Sequence, residues 1–229
     1  MSVSIITCTN RKQFINNIFA NYHRQVGVRK ELIIILNKDD MDINFYRKTA
    51  RKYKNISIFQ LPQRISLGHC LNFAVKKAKY PLIAKFDDDD YYAPYYLHDS
   101  IRVFRNPRID IIGKCSHYAY LESRDLLVIR LPNRENRFIR FVTGATFIIR
   151  KRVFNYVQFA NVSQNEDGIF LQSCCRKGLQ IYSTDRRNYV CIRRANKNTH
   201  TWKVKDSYIL RGSKIVAYTK NYRLLIRRK

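Results

Sequence analysis

The first half of the chain alternates short apolar runs with segments of helical periodicity, and this alternation constrains the fold more than any other feature. Apolar runs of strand length separated by helices are typical of βαβ units, which assemble a parallel sheet with helices on both faces. The pattern predicts strands at residues 3–8, 31–36, 56–59 and 82–86, and helices at residues 14–22, 43–53 and 67–78, the last capped by Ser66. We therefore expect an α/β fold with a central, mostly parallel sheet.

The second half has shorter strand candidates, at residues 110–116, 126–131 and 146–150, followed by a helix at residues 167–176. Turns interrupt this region, which predicts a smaller mixed or antiparallel extension. The chain has 229 residues and no low-complexity linker, so we expect a single domain over residues 1–202, with halves at 1–110 and 111–202. Residues 203–229 are basic and poorly periodic, and we expect them to form a solvated tail.

Three polar segments follow predicted strands, at residues 7–11 (TCTNR), 36–40 (LNKDD) and 87–90 (DDDD). Parallel α/β sheets bind their ligands in a crevice outside the carboxyl ends of the strands. We therefore expect these three segments to meet at one crevice.

The run from Asp87 to Asp90 places four of the chain's 17 acidic residues side by side. Two unit charges at ~4 Å repel each other by about 1 kcal/mol in water and by several times that near a protein surface. A bound cation relieves this repulsion, and carboxylate oxygens are the ligands that Mg²⁺ and Mn²⁺ prefer. The alternative is a solvated acidic loop, which caps the helix near Tyr95 and is screened by surrounding lysines and arginines.

The formal net charge of +27 indicates an anionic partner, whether nucleic acid, acidic membrane, anionic polymer or a phosphate-bearing small molecule. The basic residues are spread over the whole chain, so a generally basic, solvated surface remains an alternative. Nine lysines and arginines lie in residues 203–229, which allows a peripheral contact with an acidic membrane.

The six cysteines are scattered without CxxC spacing, which argues against a zinc site and against a disulfide framework. No apolar run approaches the ~18 residues needed to span a bilayer, and the first residues read as a strand and not as a secretion signal. We therefore expect a cytoplasmic protein.

Five segments together resemble family 2 glycosyltransferases, which are inverting enzymes with the GT-A fold. The segments are SVSIITCTNR (2–11), ELIIILNKDDMD (31–42), SLGHCLNFAVKKAKYPLIAKFDDDDYYAPYYL (66–97), FVTGATFIIRKRVF (141–154) and NEDGIFLQSCCRKG (165–178). The segments HTWK and FDDDDYYAP are most similar to the spore-maturation type from spore-forming bacteria. The resemblance implies a Rossmann-like three-layer domain, with a nucleotide-sugar-binding half at residues 1–110 and an acceptor-side extension at residues 111–202.

The resemblance also implies roles for individual residues. Asp167 matches the general base, and Glu166 precedes it at a position that is often acidic. Asp89 matches the ligand of a Mn²⁺ or Mg²⁺ ion, with Asp87 and His200 as further ligands. The donor, a nucleotide-diphosphate sugar with a UDP-sugar favoured, is expected to contact Thr7, Thr9, Asn10, Asn37, Arg64, Asp87 and Asp88.

Several of these residues have other interpretations. Asp167 suits the start of a helix, where a carboxylate complements the helix dipole without any chemistry. His200 is equally consistent with a surface or core histidine, and Trp202 with an anchor of the tail or a platform for an acceptor sugar. Relatives commonly carry an aspartate pair for uracil where this chain has Leu36 and Asn37, so the base stays open.

Two other functions are alternatives to glycosyl transfer to a glycan, polymer or protein acceptor. A basic nucleic-acid or anionic-polymer binding protein without transferase activity fits the charge. However, the chain shows no RNA-recognition or zinc-finger signature and four adjacent aspartates repel phosphate, so no nucleic acid partner is expected. A sugar nucleotidyltransferase or a P-loop enzyme is disfavoured because both need glycine-rich phosphate loops. The seven glycines form no GxxxxGK[ST] loop, and none lies in the turn after the first strand.

Overall fold

The computed structural model describes residues 1–200 and 202–227. Thr201, in the NTHTW segment, and Arg228 and Lys229, at the end of the expected tail, lie outside the described residues. The strands are β1 (Ser2–Thr9), β2 (Arg29–Leu36), β3 (Ile56–Gln60), β4 (Leu82–Lys85), β5 (Tyr91–Tyr92), β6 (Ile111–Gly113), β7 (His117–Leu121), β8 (Leu126–Arg130), β9 (Arg137–Phe138), β10 (Ile148–Arg150), β11 (Ile181–Ser183), β12 (Tyr189–Arg193) and β13 (Lys214–Tyr218). The α-helices are α1 (Ile15–Arg24), α2 (Ile43–Ala50), α3 (Leu67–Lys77), α4 (Tyr96–Ile101), α5 (Glu166–Arg176), α6 (Asp206–Leu210) and α7 (Tyr222–Leu225).

The larger sheet has eight strands in the order β3-β2-β1-β4-β10-β6-β11-β9. Strands β1 to β4 pair in parallel, whereas β10 runs antiparallel to both β4 and β6. The chain progresses from β1 through β2 to β3 on one side and then returns to place β4 on the other side of β1. Such a reversal of strand order opens a crevice at the carboxyl ends of the two strands that flank it. The predicted α/β fold with a mostly parallel sheet is confirmed.

Helices cover both faces of this sheet and complete a three-layer arrangement. On one face, Ile5 of β1 belongs to the same apolar cluster as Phe19 of α1. On the other face, Ile6 of β1 packs with Leu71 of α3 and Phe170 of α5. Because successive side chains of a strand point to opposite faces, a strand buried on both sides reads as an unbroken apolar run.

The helix starts have local causes in the sequence. The hydroxyl of Ser66 accepts a hydrogen bond from the backbone N–H of His69 at 3.2 Å, which confirms the predicted cap of α3. A carboxylate oxygen of Asp42 accepts from the N–H groups of Asn44 and Phe45 at 2.8 and 3.2 Å and begins α2 in the same way.

The smaller sheet has the order β13-β8-β7-β12-β5 and is mixed, as expected for the extension. Among the described strands of this sheet, β7 and β12 are the only neighbours that pair in parallel. The sequence pattern did not predict β7, because its HYAYL segment is buried along its whole length and lacks apolar–polar alternation. Tyr118 and Tyr120 face one apolar cluster, whereas Ala119 and Leu121 face another.

Residues 203–227 are more ordered than the solvated tail that we expected. They form α6, β13 and α7, and β13 joins the edge of the smaller sheet beside β8. Ile209 and Ile226 are buried on opposite faces of that sheet. The backbone of the tail therefore completes the smaller sheet, and its boundary at residue 203 remains a prediction.

None of the helices formed by the described residues has both the length and the apolar character required to cross a membrane.

Gly68 sets the distance between α3 and the segment that leads into α5. A Cβ atom at this position would lie 1.8 Å from the carbonyl oxygen of Ala160, and the N–H of Gly68 donates to the carbonyl of Val162 at 3.0 Å. We therefore expect Gly68→Ala to lower the free energy of unfolding by about 1–3 kcal/mol, measured by urea denaturation.

The exposed neighbour His69 provides the matched control, because His69→Ala should change stability by less than about 0.5 kcal/mol. Alanine is a better helix former than glycine by about 1 kcal/mol. A Gly68→Ala variant as stable as the wild type, or more stable, would therefore contradict this close approach of helix and loop.

Candidate functional site

The acidic run begins directly after β4, at the carboxyl edge of the larger sheet, and its four side chains alternate in exposure. The carboxylates of Asp87 and Asp89 are 37% and 12% exposed. Asp88 and Asp90 are buried. The run therefore offers two carboxylates to the crevice and turns the other two into the protein.

Asp88 is held by residues at the end of β1. One of its carboxylate oxygens accepts from the hydroxyl of Thr9 at 2.5 Å and from Nε of Arg11 at 3.2 Å. Arg11 also forms an ion pair with the second oxygen. Burial and the nearby Asp89 raise the pKa of Asp88 to about 6, with Arg11 opposing the shift. Asp88 therefore connects the acidic run to β1 from beneath the crevice.

Asp90 joins the same run to the smaller sheet. Its carboxylate accepts from the Tyr189 hydroxyl at 2.5 Å and from the backbone N–H of Ile192 at 2.9 Å. Burial, together with the charges of Asp89 and Asp87, raises the pKa of Asp90 to about 8. The role of this carboxyl group is structural, because both of its oxygens are engaged inside the protein.

Asp89 lies among cationic and polar groups from two distant parts of the chain. Its Oδ2 is 3.1 Å from Nη1 of Arg11, 3.4 Å from Nη1 of Arg194 and 3.7 Å from Nδ1 of His200. Both guanidinium groups also lie over the ring of Phe14, at 4.7 and 4.3 Å from its centroid. Asp89 is thereby fixed at the mouth of the crevice.

The residues at this edge fit a divalent cation in part. Asp87 and Asp89 supply hard carboxylate oxygens, and Mg²⁺ typically binds through one or two carboxylates together with substrate phosphates. Within residues 1–200 and 202–227, no group of three or more His, Cys, Asp or Glu side chains converges on one point. A cation held by Asp87 and Asp89 would therefore complete its coordination with phosphate oxygens of a substrate and with water.

His200 fits the metal less well than the aspartates do. Its Nε2 accepts a hydrogen bond from the backbone N–H of Arg194 at 2.9 Å, so the neutral ring carries its proton on Nδ1, the atom nearest Asp89. A histidine ligand normally binds metal through one nitrogen and donates from the other. In this arrangement His200 is instead a donor that points towards Asp89.

Lys85 connects the acidic run with the start of α5. The lysine is buried, and its Nζ lies 2.6 Å from Oδ1 of Asp87. Burial alone would lower the pKa of Lys85, but Asp87, Glu166 and Asp167 together raise it above its ordinary value. Burial also raises the pKa of Glu166 to about 6, against the opposing charge of Lys85. One ammonium group thus interacts with three carboxylates and offsets part of their negative charge.

Asp167 lies against a glycine turn formed by residues 144–146. A Cβ atom on Gly144 would be 2.1 Å from Oδ2 of Asp167, so only glycine leaves room for this carboxylate. Oδ1 of Asp167 accepts from the backbone N–H of Gly168 at 2.7 Å. The Tyr92 hydroxyl accepts from the N–H of Asp87 at 2.8 Å and donates to the carbonyl of Ala145 at 2.6 Å. Tyr92 therefore holds the turn and the acidic run together.

A cleft of about 420 Å³ opens beside this edge. It is lined by Asn10, Asn37, Lys38, Gln63, Arg64, Ile65 and Ser163. Three of these residues were expected at the site from the sequence. The chain links the cleft to the acidic run through consecutive residues of one loop, because Thr9 binds Asp88 and Asn10 lines the cleft.

The structure places the remaining expected residues differently. Thr7 is buried inside β1, opposite Ile34 of β2, and does not line the cleft. Thr9 and Asp88 bind each other within the protein. Asn37 lies at the cleft, where its side-chain amide donates to the carbonyl of Pro62 at 2.9 Å.

The sequence did not point to Lys85, Tyr92, Gly144 or Arg194 as parts of the site, and it predicted Arg11 at the crevice only as a member of the segment 7–11, without a partner. The sequence did carry a sign of Lys85, because this lysine is the only charged residue in the buried strand LIAK, and a buried charge needs a partner. The contacts of Arg11 with Asp88 and of Arg194 with Asp89 join residues 77 and 105 positions apart, and no local pattern encodes them.

Residues 4–157 of the chain match the family described as Glycosyl transferase family 2. No curated protein matches the chain in sequence. The matched region includes the acidic run, the cleft residues 10, 37 and 64, and the glycine turn, but ends before Asp167.

Solved structures of other proteins share the fold. The S. aureus TarS fragment 1-349, in complex with UDP-GlcNAc, has a TM-score of 0.69 at 17% identity and matches over 91% of this chain and 63% of that one. The mannosyltransferase PcManGT from Pyrobaculum calidifontis, in complex with GDP-Man and Mn²⁺, has a TM-score of 0.62 at 14% identity, over 83% of this chain and 56% of that one. This chain therefore spans less than two thirds of either protein.

Proposed function

This chain belongs to glycosyl transferase family 2, and we propose that it transfers a sugar from a nucleotide-diphosphate sugar, with a UDP-sugar favoured, to a hydroxyl group of a glycan, polymer or protein acceptor. The proposal rests most on one observation. The cleft lined by Asn10, Asn37 and Arg64 lies beside the two accessible carboxylates of the acidic run, Asp87 and Asp89. A nucleoside in the cleft would direct its diphosphate towards that edge.

The cleft has the size and the polar groups that a nucleoside requires. About 420 Å³ lies within the range of small-molecule sites, and amide side chains both donate to and accept from a base edge. Lys38 and Arg64 add positive charge. TarS and PcManGT, solved with UDP-GlcNAc and GDP-Man, share the fold, and this likeness supports a nucleotide-sugar donor for this chain.

A Mn²⁺ or Mg²⁺ ion is part of the proposal, held by Asp89 and Asp87 together with the donor diphosphate. When bound, such an ion acts as a Lewis acid that neutralises the charge of the departing diphosphate. Arg11 and Arg194 hold the Asp89 carboxylate in place before the donor arrives. His200 joins the ligands only if its proton moves from Nδ1 to Nε2 and the bond from the Arg194 N–H is lost.

Asp167 is the proposed general base. It accepts the proton of the acceptor hydroxyl, whose oxygen then attacks the anomeric carbon from the face opposite the diphosphate. The result is a single displacement with inversion. Lys85 interacts with Asp87, Glu166 and Asp167 and offsets part of their charge, which lowers the repulsion between the carboxylates for the donor and for the acceptor in a partly buried site.

The proposed site predicts that nucleotide binding depends on a divalent cation and on Asp89. We expect UDP, or a UDP-sugar, to stabilise the chain against thermal unfolding with Mn²⁺ present and much less without it. The stabilisation reaches about 2.7 kcal/mol when the ligand is at 100 times its Kd. Asp89→Asn should remove the part that depends on Mn²⁺.

Asp125→Asn is the matched control. It removes the same charge from a left-handed residue in the turn between β7 and β8, which does not line the cleft and where asparagine is equally tolerated. Stabilisation by UDP that is independent of Mn²⁺ in the wild type, or fully retained in Asp89→Asn, would count against the proposed metal site. A panel that includes GDP and GDP-mannose identifies the base.

A further inference from the structure

Three arginines from distant parts of the chain come together beside the smaller sheet. Arg24 ends α1, Arg223 lies in α7 and Arg227 follows that helix. The guanidinium carbons of Arg24 and Arg223 lie over the ring of Tyr91, at 4.7 and 4.8 Å from its centroid. The positive charge of Arg227 is also close enough to act on Arg24. We call these three residues the arginine cluster.

The arginine cluster lies on one face of the smaller sheet. Tyr91 belongs to the apolar cluster on that face, together with Tyr120 and Ile226. Tyr222 of α7 packs against the same apolar cluster, with its ring centroid 4.3 Å from that of Tyr120. The carbonyl of Ile226 accepts a hydrogen bond from the N–H of Asn188 at 2.9 Å. The segment that carries Arg223 and Arg227 is therefore anchored on this face, next to the end of α1.

No acidic side chain among residues 1–200 and 202–227 forms an ion pair with the arginine cluster. Burial lowers the pKa of Arg24, and the positive charges of Arg223 and Arg227 lower it further. The ring of Tyr91 offsets part of this repulsion, but a cation–π contact is worth only about 0.5–1 kcal/mol at an exposed site. Like charges held together without a carboxylate partner favour the binding of an anion.

The arginine cluster is accessible to a ligand. Arg223 and Arg227 are exposed, and Arg24 is half-buried. Nη1 of Arg24 donates to Oδ1 of Asn21 at 2.6 Å, which orients this guanidinium group. A guanidinium group presents its N–H donors in a planar fork that matches the oxygens of a phosphate. Phosphate is therefore the anion that this set of side chains fits best.

We propose that the arginine cluster binds a phosphate group, carried either by a soluble phosphate ester or by a lipid headgroup. A diphosphate could contact both guanidinium groups at Tyr91, because they lie within 4.8 Å of the same ring centroid. The site is separate from the cleft, which none of the three arginines lines. It is joined to the acidic run through Asn21, whose side-chain amide donates to the carbonyl of Asp90 at 2.9 Å. The proposal does not depend on the transfer reaction.

Calorimetric titration of inorganic pyrophosphate into the full chain, without divalent cations, tests the site. We expect the wild type to bind pyrophosphate, and Arg223→Gln/Arg227→Gln to bind it about tenfold more weakly or less, because two charged donors are lost. Arg47→Gln/Arg51→Gln is the matched control, since it removes the same charge from two exposed arginines at the end of α2. Its affinity should change by less than about twofold. Thermal unfolding should show that each variant is folded.

Sedimentation with vesicles of phosphatidic acid and phosphatidylcholine distinguishes the two sources of phosphate. Binding that Arg223→Gln/Arg227→Gln weakens and pyrophosphate displaces identifies a lipid headgroup, whereas binding of pyrophosphate alone identifies a soluble ester. Either result supports the site. The proposal is overturned if neither probe distinguishes the wild type from this variant, or if Arg47→Gln/Arg51→Gln weakens binding equally. A loss that occurs only in Arg64→Gln would place pyrophosphate in the cleft and would also overturn it.

Discussion

The Asp167→Asn variant should transfer sugar about 10²- to 10⁴-fold more slowly than the wild type while binding the donor equally well. An amide cannot accept the proton of the acceptor hydroxyl, but it has nearly the shape of the carboxylate that lies against Gly144. Donor binding should be unchanged, because Asn10 and Asn37 line the cleft and Asp167 does not. Product formation gives kcat, and stabilisation by UDP with Mn²⁺ reports donor binding.

Glu166→Gln provides the comparison that identifies the base. Glu166 is only 6% exposed, and burial raises its pKa to about 6, so this side chain is less accessible to an acceptor than Asp167. We expect Glu166→Gln to lower kcat less than Asp167→Asn does. The opposite order, or an Asp167→Asn variant within about fivefold of the wild type, would show that another group takes the proton.

Replacing Gly144 by alanine should lower kcat by about 10²-fold, because the new methyl group displaces the base without removing it. Its position would be 2.1 Å from Oδ2 and 2.8 Å from Cβ of Asp167, so the aspartate must move. Misplacing a catalytic group by about 1 Å is enough for a loss of this size. The backbone of Gly144 is not in the left-handed region, so the effect comes from the methyl group.

A double-mutant cycle separates this effect from a general loss of structure. In the Asp167→Asn background, where the base is already absent, Gly144→Ala should have little further effect on kcat. Gly178→Ala is the control, since Gly178 has a positive φ of 74° and open space around it. It should lower stability and leave kcat unchanged. Equal losses from Gly144→Ala in both backgrounds would contradict the proposed contact.

Part of the site was predictable because it depends on where parallel strands end. Asn10, Asn37 and Arg64 follow β1, β2 and β3, and the carboxyl ends of neighbouring parallel strands share one edge. The acidic run after β4 was found for the same reason. The cleft confirms that Asn10, Asn37 and Arg64 lie together, whereas their contacts with a donor remain a prediction.

The partners of the cations in the site were not predictable in the same way, although Arg11 belongs to the segment 7–11 that we expected at the crevice. Arg11 binds Asp88 and Asp89 from 77 and 78 residues away, and Arg194 binds the backbone of Asp89 from 105 residues away. A chain with 44 lysines and arginines offers many candidates for such partners. Sequence spacing alone does not distinguish them, because the contact depends on how loops meet after the sheet has formed.

The strand order of the smaller sheet was not predictable from the sequence either. Its strand β5 has two residues, too few for any periodicity. The order β13-β8-β7-β12-β5 brings together segments from positions 91 to 218. Strand pairing over such distances depends on burial of complementary faces, as for Ile226 and Ile209 on the two sides, and the tail pattern alone does not reveal it.

The sequence by itself determined the parallel half of the larger sheet, the Ser66 cap of α3 and the position of the acidic run. Each of them follows from local periodicity or from a single side chain beside its own backbone. Only the tertiary structure decided which aspartates face the crevice. Arg11 forms an ion pair with Asp88, and the hydroxyl of Tyr189 donates a hydrogen bond to Asp90. The side chains of Asp87 and Asp89 keep exposed fractions of 37% and 12%. That division depends on which partners are buried beneath the run, and those partners come from other elements of the fold.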